Sequence, residues 1–397
     1  MSKRLDIAHC VEFYQPSVGG MQEVVKQLSE RMVQAGHRVT VFTSHLPERS
    51  TGEINGVRIR AFNVKGNAVR GMTGEVDAYR KALVEGRFDV VAFFAAQQWT
   101  TDAMLPHLHE LNAAKVFVPT GFSALYAPEY AGYYAEMPAW LRAMDLNVFL
   151  SDDYRDVDFA RKNGVTAMTL IPNGAAEEEF EGPLRHDLRS EHGVPADSFL
   201  ILHVGSYSGQ KGHSEAIRIF LAAERTKGAT LMLIGNGTRA LERTYNWRRW
   251  WLLPRWKARL TGRRVLFLEL DRARTVAAMR QADLFLFPSN VECSPIVLFE
   301  AMAAGTPFLC SNAGNSAEIA SWSGSGSILP GTRNGLGYEV LDIAGGACAL
   351  DRLLADRVQL RAKAALGSQA WKERFTWRGI TEQYLAHYQQ LVPTRHG

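Results

Sequence analysis

The chain has 397 residues, 46% of them hydrophobic and 22% charged, with a formal net charge of +4. That length exceeds one typical core and predicts two domains of roughly 150–200 residues. No uninterrupted apolar run reaches the roughly 18 residues of a membrane-spanning helix, and Cys10, Cys293, Cys310 and Cys348 have neither metal-ligand nor paired spacing. The cysteines are expected to be reduced thiols of a cytoplasmic protein.

The opening "MSKRLDIAHCVEF" reads as a first strand, not as a signal peptide. Strand patterns follow in "HRVTVFTS", "VRIRAFNV", "FDVVAFFA", "KVFVPT" and "LNVFLS", with helical patterns between most of them. In "GMQEVVKQLSERMVQAG", Val24, Val25, Leu28, Met32 and Val33 share one helical face. Near-continuous apolar strands separated by helices predict parallel sheets covered on both faces. Pro172, Asn173 and Gly174 punctuate the pattern. The alternation then restarts with "FLILHVGS", "TLMLIGNG", "VLFLEL", "DLFLFPS" and "PFLCS". The expectation is two doubly wound Rossmann-like units over residues 1–172 and 173–373. A helix over 374–397 would pack back on the first. Ligands of such α/β units bind at strand C-termini, in a crevice between the two.

Two glycine-rich loops open helices. "QPSVGGMQEVV" places Gly19 and Gly20 where a backbone can approach an anion at a helix N-terminus, although a plain turn has the same composition. It lacks the dinucleotide fingerprint G-x-G-x-x-G. "HVGSYSGQKGHSEAI" places Lys211 at a second helix entrance, where it is either a phosphate partner or a solvated side chain. The spacing is not that of a P-loop, which disfavours nucleoside triphosphate hydrolysis. The turn "IGNGTR" reads as structural.

"SNVECSPIVLFEAMAAGTPF" carries two carboxylates in apolar surroundings. Ser294 is the expected N-cap and Pro295 the first helical residue, with Gly305 ending the helix. Glu292 then lies in the loop entering the helix, and Glu300 in its second turn. An ionised carboxylate there costs several kcal/mol unless it is hydrogen-bonded, by protein or by ligand.

Basic character is concentrated locally. Residues 239–264 carry a surplus of eight positive charges, and the remainder sums to −4. Here Trp247, Trp250, Trp251 and Trp256 are interleaved with Arg248, Arg249, Arg255, Lys257 and Arg259. Indoles favour a bilayer interface and cations favour anionic headgroups. A surface helix with its tryptophans turned inward has the same pattern, and so has a single-stranded nucleic-acid track. The membrane reading is preferred, and no nucleic-acid partner is expected.

"GGMQEVVKQLSERMVQAGHRVTVFTS", "IPNG", "VGSYSGQKGH", "ADLFLFPS" and "ECSPIVLFEAMAAGTPF", in this order, resemble the family-four retaining glycosyltransferases of GT-B fold. Glu292–Glu300, the E-x7-E element, is the most specific part. The resemblance implies two Rossmann-like domains facing a central cleft, with a nucleoside diphosphate sugar, of UDP or GDP, held mainly by the second. It implies that Glu300 accepts hydrogen bonds from the ribose hydroxyls and that Glu292 contacts the transferred sugar. Lys211 would neutralise the departing diphosphate, helped by backbone N–H groups of Ile296, Val297 and the Gly19–Gly20 loop. No metal or other cofactor is implied: a D-x-D element is absent, and "SDDY" from Ser151 reads as a helix start.

Three positions depart from the family pattern. Ser206 stands where an arginine usually follows the V-G element, so one phosphate cation is missing. Thr120 and Gly121 stand where a sugar-contacting histidine is common. Ala175 and Ala176 replace the usual acid after "IPNG". The expected function is transfer of a hexosyl unit, with retention, to a glycolipid or surface polysaccharide precursor such as that of lipopolysaccharide. The enzyme is expected at the inner face of the cell membrane. The alternatives are a donor-binding protein without turnover and a nucleic-acid-binding protein.

Overall fold

The structure, a computed structural model, describes residues 4–237 and 261–392. The whole tryptophan–arginine cluster, Trp247 to Arg259, lies outside the described residues. Two compact units are present. One takes the chain up to Asn173 together with everything from Trp377 onward, and the other is Gly174–Thr376.

The first unit is built on an eight-stranded sheet. Its strands are β1 (Asp6–Cys10), β2 (Arg38–Ser44), β3 (Glu53–Ile54) and β4 (Val57–Phe62). After a separate hairpin of β5 (Val64–Asn67) and β6 (Gly71–Gly74) come β7 (Val90–Phe94), β8 (Ala114–Val118), β9 (Leu146–Phe149) and β10 (Met168–Leu170). The spatial order is β10-β9-β8-β7-β1-β2-β4-β3, parallel except for the short edge strand β3. Strand order reverses at β1, whose neighbours are β2 and β7. The loops leaving β1 and β7 therefore flank a topological switch point. The short strands β3, β5 and β6 escape the sequence reading because two to four residues carry too little periodic pattern.

Helix Gly20–Gln34 buries Val24, Val25, Leu28 and Met32, with Val33 half-buried. The terminal helix Trp377–Leu391 packs against it, burying Trp377, Ile380, Tyr384 and Tyr388. The Tyr388 hydroxyl lies 3.5 Å from His9 Nε2. Burial pulls the His9 pKa down to about 3, so the imidazole under this helix is neutral.

The second unit carries a six-stranded sheet of β11 (Leu200–Val204), β12 (Thr230–Ile234), β13 (Arg264–Leu268), β14 (Leu284–Phe287), β15 (Phe308–Cys310) and β16 (Gly326–Ile328). The order is β13-β12-β11-β14-β15-β16, and every pairing is parallel. Each residue of β14 is buried, as expected for a central strand covered on both faces. Here the order reverses between β11 and β14, so the loops after these two strands flank the switch point. Among the described residues no helix is long and apolar enough to cross a membrane.

Candidate active site

In the second unit, a close backbone approach joins the two loops at the switch point. Gly212 has φ +73° and caps the helix His213–Ala222. A Cβ at this position would lie 1.9 Å from the carbonyl oxygen of Pro288, so only glycine fits. The Asn290 amide donates to the Gln210 carbonyl at 2.8 Å, fastening the same two segments. Gly314, at φ +61°, brings the loop after β15 onto the Cys293 carbonyl, where a Cβ would sit 2.3 Å away. The Asn315 amide donates to that carbonyl at 2.8 Å.

This packing brings Lys211 and Glu292 together. Lys211 Nζ lies 2.7 Å from Glu292 Oε1, and the Ser289 hydroxyl donates to the same oxygen at 2.7 Å. The Glu292 side chain is 8% exposed and that of Lys211 31%, so the cation keeps a face toward solvent. Below the loop, His203 and His213 pack edge to face with ring centroids 4.4 Å apart. His213 Nε2 lies 3.1 Å from the Gly205 carbonyl, and His203 Nδ1 lies 2.9 Å from that of Leu286. Burial lowers their pKa values to about 4 and about 3, so they brace the loop without adding charge. Ser206 is exposed at the rim of this loop.

Helix Ile296–Ala303 begins one residue later than the capping pattern predicts. Pro295, in extended geometry, is the N-cap position, and Ile296 is the first helical residue. The shift follows from proline's lack of an N–H and its fixed φ, which let it end the incoming loop as well as start a helix. Ile296 and Val297, half-buried, supply first-turn amides that have no acceptor within the helix. Gly305, at φ +69°, terminates it. The Ser151 stretch also differs from expectation: its helix starts only at Arg155, after Tyr154, and the Ser151 hydroxyl accepts from the Asp153 amide at 3.1 Å.

Glu300 is 4% exposed between Phe299 and Ala301, both fully buried. It has a protein partner that sequence reasoning missed. Arg272 Nη2 lies 2.6 Å from Glu300 Oε1. The same guanidinium donates from Nε to Glu179 Oε1 at 3.0 Å and from Nη2 to Glu179 Oε2. Burial alone would lower the Arg272 pKa, but the two carboxylates outweigh it and hold it above the ordinary arginine value. Asp271, the N-cap of the Arg272–Gln281 helix, accepts from the Arg274 amide at 2.8 Å and fixes where Arg272 emerges.

The remaining sequence-predicted residues, Gly19, Gly20 and Thr120, belong to the first unit. Gly19 is extended and precedes the helix that begins at Gly20. Arg49 fastens the loop ahead of them by donating to the carbonyls of Gln15, Ser44 and Tyr14 at 2.7, 2.9 and 3.0 Å. Thr120, Gly121 and Phe122 are all left-handed, at φ +60°, +98° and +47°. Three such residues in succession, two of them not glycine, cost energy that the surroundings must offset. Asp156, 2% exposed, does so by accepting from the Gly121 amide at 2.8 Å and the Val157 amide at 3.0 Å. Burial pushes its pKa up to about 6. Asp102, after β7, is likewise buried and pushed up to about 6, while it accepts from the Tyr133 hydroxyl at 2.8 Å and the Ala68 amide at 3.0 Å. Among the described residues no group of three or more His, Cys, Asp or Glu is placed to hold a metal ion.

Comparison with known proteins agrees with this architecture. Residues 185–363 match the family "Glycosyl transferases group 1" and residues 18–179 match "Glycosyltransferase Family 4". The chain belongs to the group 1 glycosyltransferases. It is 28% identical to glycogen synthase of Mycobacterium tuberculosis over 221 residues, which are 55% of this chain but only 47% of that enzyme. It is 25% identical to phosphatidyl-myo-inositol mannosyltransferase of Mycolicibacterium smegmatis, over 94% of this chain and 90% of that one. Anabaena HepE, solved in complex with UDP-glucose, superposes with a TM-score of 0.70 at 16% identity, covering 98% of this chain and all of that one. The fold of this group 1 member is accordingly GT-B.

Proposed function

We propose that this group 1 member is a retaining glycosyltransferase that moves a hexosyl unit from a nucleoside diphosphate sugar, of UDP or GDP, to a glycolipid or surface polysaccharide precursor. The carrying observation is the Lys211–Glu292 pair, 2.7 Å apart, at the switch point of the second unit. Departure of a nucleoside diphosphate creates negative charge. A fixed ammonium and the first-turn amides of Ile296 and Val297 are suited to stabilise it. Lys211 then turns toward the diphosphate as charge develops, and Glu292 faces the transferred sugar. With retention by front-face attack, Glu292 orients the sugar and is not a covalent nucleophile. The two-carboxylate scheme of glycosidases is not invoked. No metal is assigned a role, and Glu300 receives the ribose hydroxyls. With Ser206 in place of an arginine, Lys211 carries more of the phosphate charge than in relatives.

A thermal-shift panel of nucleoside diphosphates and their sugars, followed by donor turnover with glycolipid acceptors, tests this. A ligand at a hundred times its Kd stabilises the folded state by about 2.7 kcal/mol and raises Tm. Absence of any shift rejects the donor assignment. Binding without turnover on any acceptor supports a non-catalytic donor-binding protein.

The lipid-linked acceptor is supported by the similarity to a phosphatidyl-myo-inositol mannosyltransferase and by the tryptophan–arginine composition of residues 243–264. On this reading the protein associates peripherally with the cytoplasmic face of the membrane. It should co-sediment with anionic vesicles and hardly with neutral ones, with moderate salt weakening the association. Equal binding to both vesicle types counts against the membrane assignment, as does binding to neither.

A further inference from the structure

We propose that Arg272 is a positioning residue for nucleoside recognition, holding the Glu300 carboxylate in the orientation that accepts both hydroxyls of a vicinal diol. The proposal rests on the reading of Glu300 as the ribose acceptor and adds a residue outside the E-x7-E element. Arg272 is 28 positions before Glu300 and opens a different helix.

The geometry is a clamp of one cation between two carboxylates. Arg272 Nη2 reaches Glu300 Oε1 at 2.6 Å and also Glu179 Oε2, while Nε reaches Glu179 Oε1 at 3.0 Å. The guanidinium lies 5.9 Å from the centroid of the Phe180 ring, which limits its movement on that side. Glu179 thus fixes the fork, and the fork fixes Glu300. The Glu300 side chain is 5% exposed and that of Arg272 43%, so the pair borders solvent on the arginine side.

Two physical consequences follow. The guanidinium, 2.6 Å from one carboxylate oxygen, fixes the plane of the Glu300 carboxylate and so the directions in which it accepts hydrogen bonds. Two carboxylates against one guanidinium also leave a net negative charge, which suits hydroxyl donors and opposes phosphate. The subsite therefore selects an unmodified ribose over a 2′,3′-dideoxyribose, and Arg272 determines how strongly. Lysine cannot replace it, since a single ammonium lacks the planar fork that spans both partners.

The test is calorimetric titration of the parent protein and variants with UDP and GDP and with their 2′,3′-dideoxy counterparts. Whichever base binds, the parent should prefer the ribonucleotide by roughly tenfold or more, as expected for hydrogen bonds to a charged acceptor. In Arg272→Gln that preference should fall to within about threefold while affinity for the dideoxy nucleotide stays close to the parent's. Adding Arg272→Gln to Glu300→Gln should reduce the preference no further, because both changes act on one interaction. An Arg272→Gln protein that keeps the parent's preference overturns the proposal. So does one that loses affinity equally for both nucleotides, since that is the mark of a merely structural ion pair. Should Arg272→Gln fail to fold, Arg272→Lys decides: a preference at least threefold lower supports positioning, and an unchanged one overturns it. If the parent itself shows no preference, or binds neither nucleotide, the ribose assignment of Glu300 fails first and the inference with it.

Discussion

The loops at the strand C-termini of the two units are held by different physics. In the second unit, ion pairs organise them: Lys211 with Glu292, and Arg272 with both Glu300 and Glu179. Glycines at 212 and 314 allow backbone approaches that no other residue permits. In the first unit the buried carboxylates Asp102 and Asp156 are held by backbone amides and a tyrosine hydroxyl, and among the described residues no arginine or lysine hydrogen-bonds them. Among the described residues, five non-glycine residues of this unit have positive φ: Asn55, Ala95, Gln97, Thr120 and Phe122. The last four follow β7 and β8. One unit thus presents fixed charge, and the other presents strained backbone braced by hydrogen bonds. Fixed charge suits a reaction in which an anion departs. Loops whose shape is set by strained, hydrogen-bonded backbone suit recognition by shape.

The largest effect that could break this contrast is on turnover. Lys211→Ala should lower kcat by roughly 100- to 1000-fold, the range for removing one preorganised stabiliser of developing negative charge. Affinity for the intact nucleoside diphosphate sugar should change much less, because the interaction strengthens as the leaving group departs. Steady-state kinetics alongside calorimetry checks this. An unchanged kcat with a raised KM would assign Lys211 to uniform binding, and fixed charge would then not be what distinguishes the second unit.

A second, somewhat smaller effect sharpens the contrast through stability. Burial raises the Asp156 pKa from an ordinary 3.8 to about 6. Because the folded state holds this proton more tightly, the contribution is fully present below about pH 4 and is lost as pH rises through about 6. The difference amounts to about 3 kcal/mol. Asp102 titrates in the same direction and the same window. Urea unfolding of the parent should therefore show the first unit losing stability between pH 4 and pH 6. Asp156→Asn should remove about half of that loss, leaving the part due to Asp102. If parent and variant share one pH profile, Asp156 is not the source of the pH dependence.

Much of the fold was legible because it rests on local periodicity. The runs that became β1, β2, β7, β11 and β14 are apolar over the right length, and the helix from Gly20 carries its apolar face in the order written. Glu292, Glu300 and Lys211 stood out as charges at loop–helix junctions or in an apolar helix. Which group each would pair with did not. Lys211 and Glu292 are 81 positions apart, Arg272 and Glu179 93, and Gly121 and Asp156 35. No local pattern encodes such pairings.

The sequence by itself determined that the chain makes two α/β units, where the helix-opening loops fall, and which carboxylates are surrounded by apolar residues. These properties depend on neighbours within one or two turns of chain. Only the tertiary structure decided that Glu300 meets Arg272, that Ser289 and Lys211 share one oxygen of Glu292, and that Thr120 sits in a left-handed run braced by Asp156. Those outcomes depend on which strand lies beside which, since β11 beside β14 brings together loops far apart in the chain. A buried charge then takes whichever opposite group the packing delivers, because leaving it unpaired costs several kcal/mol.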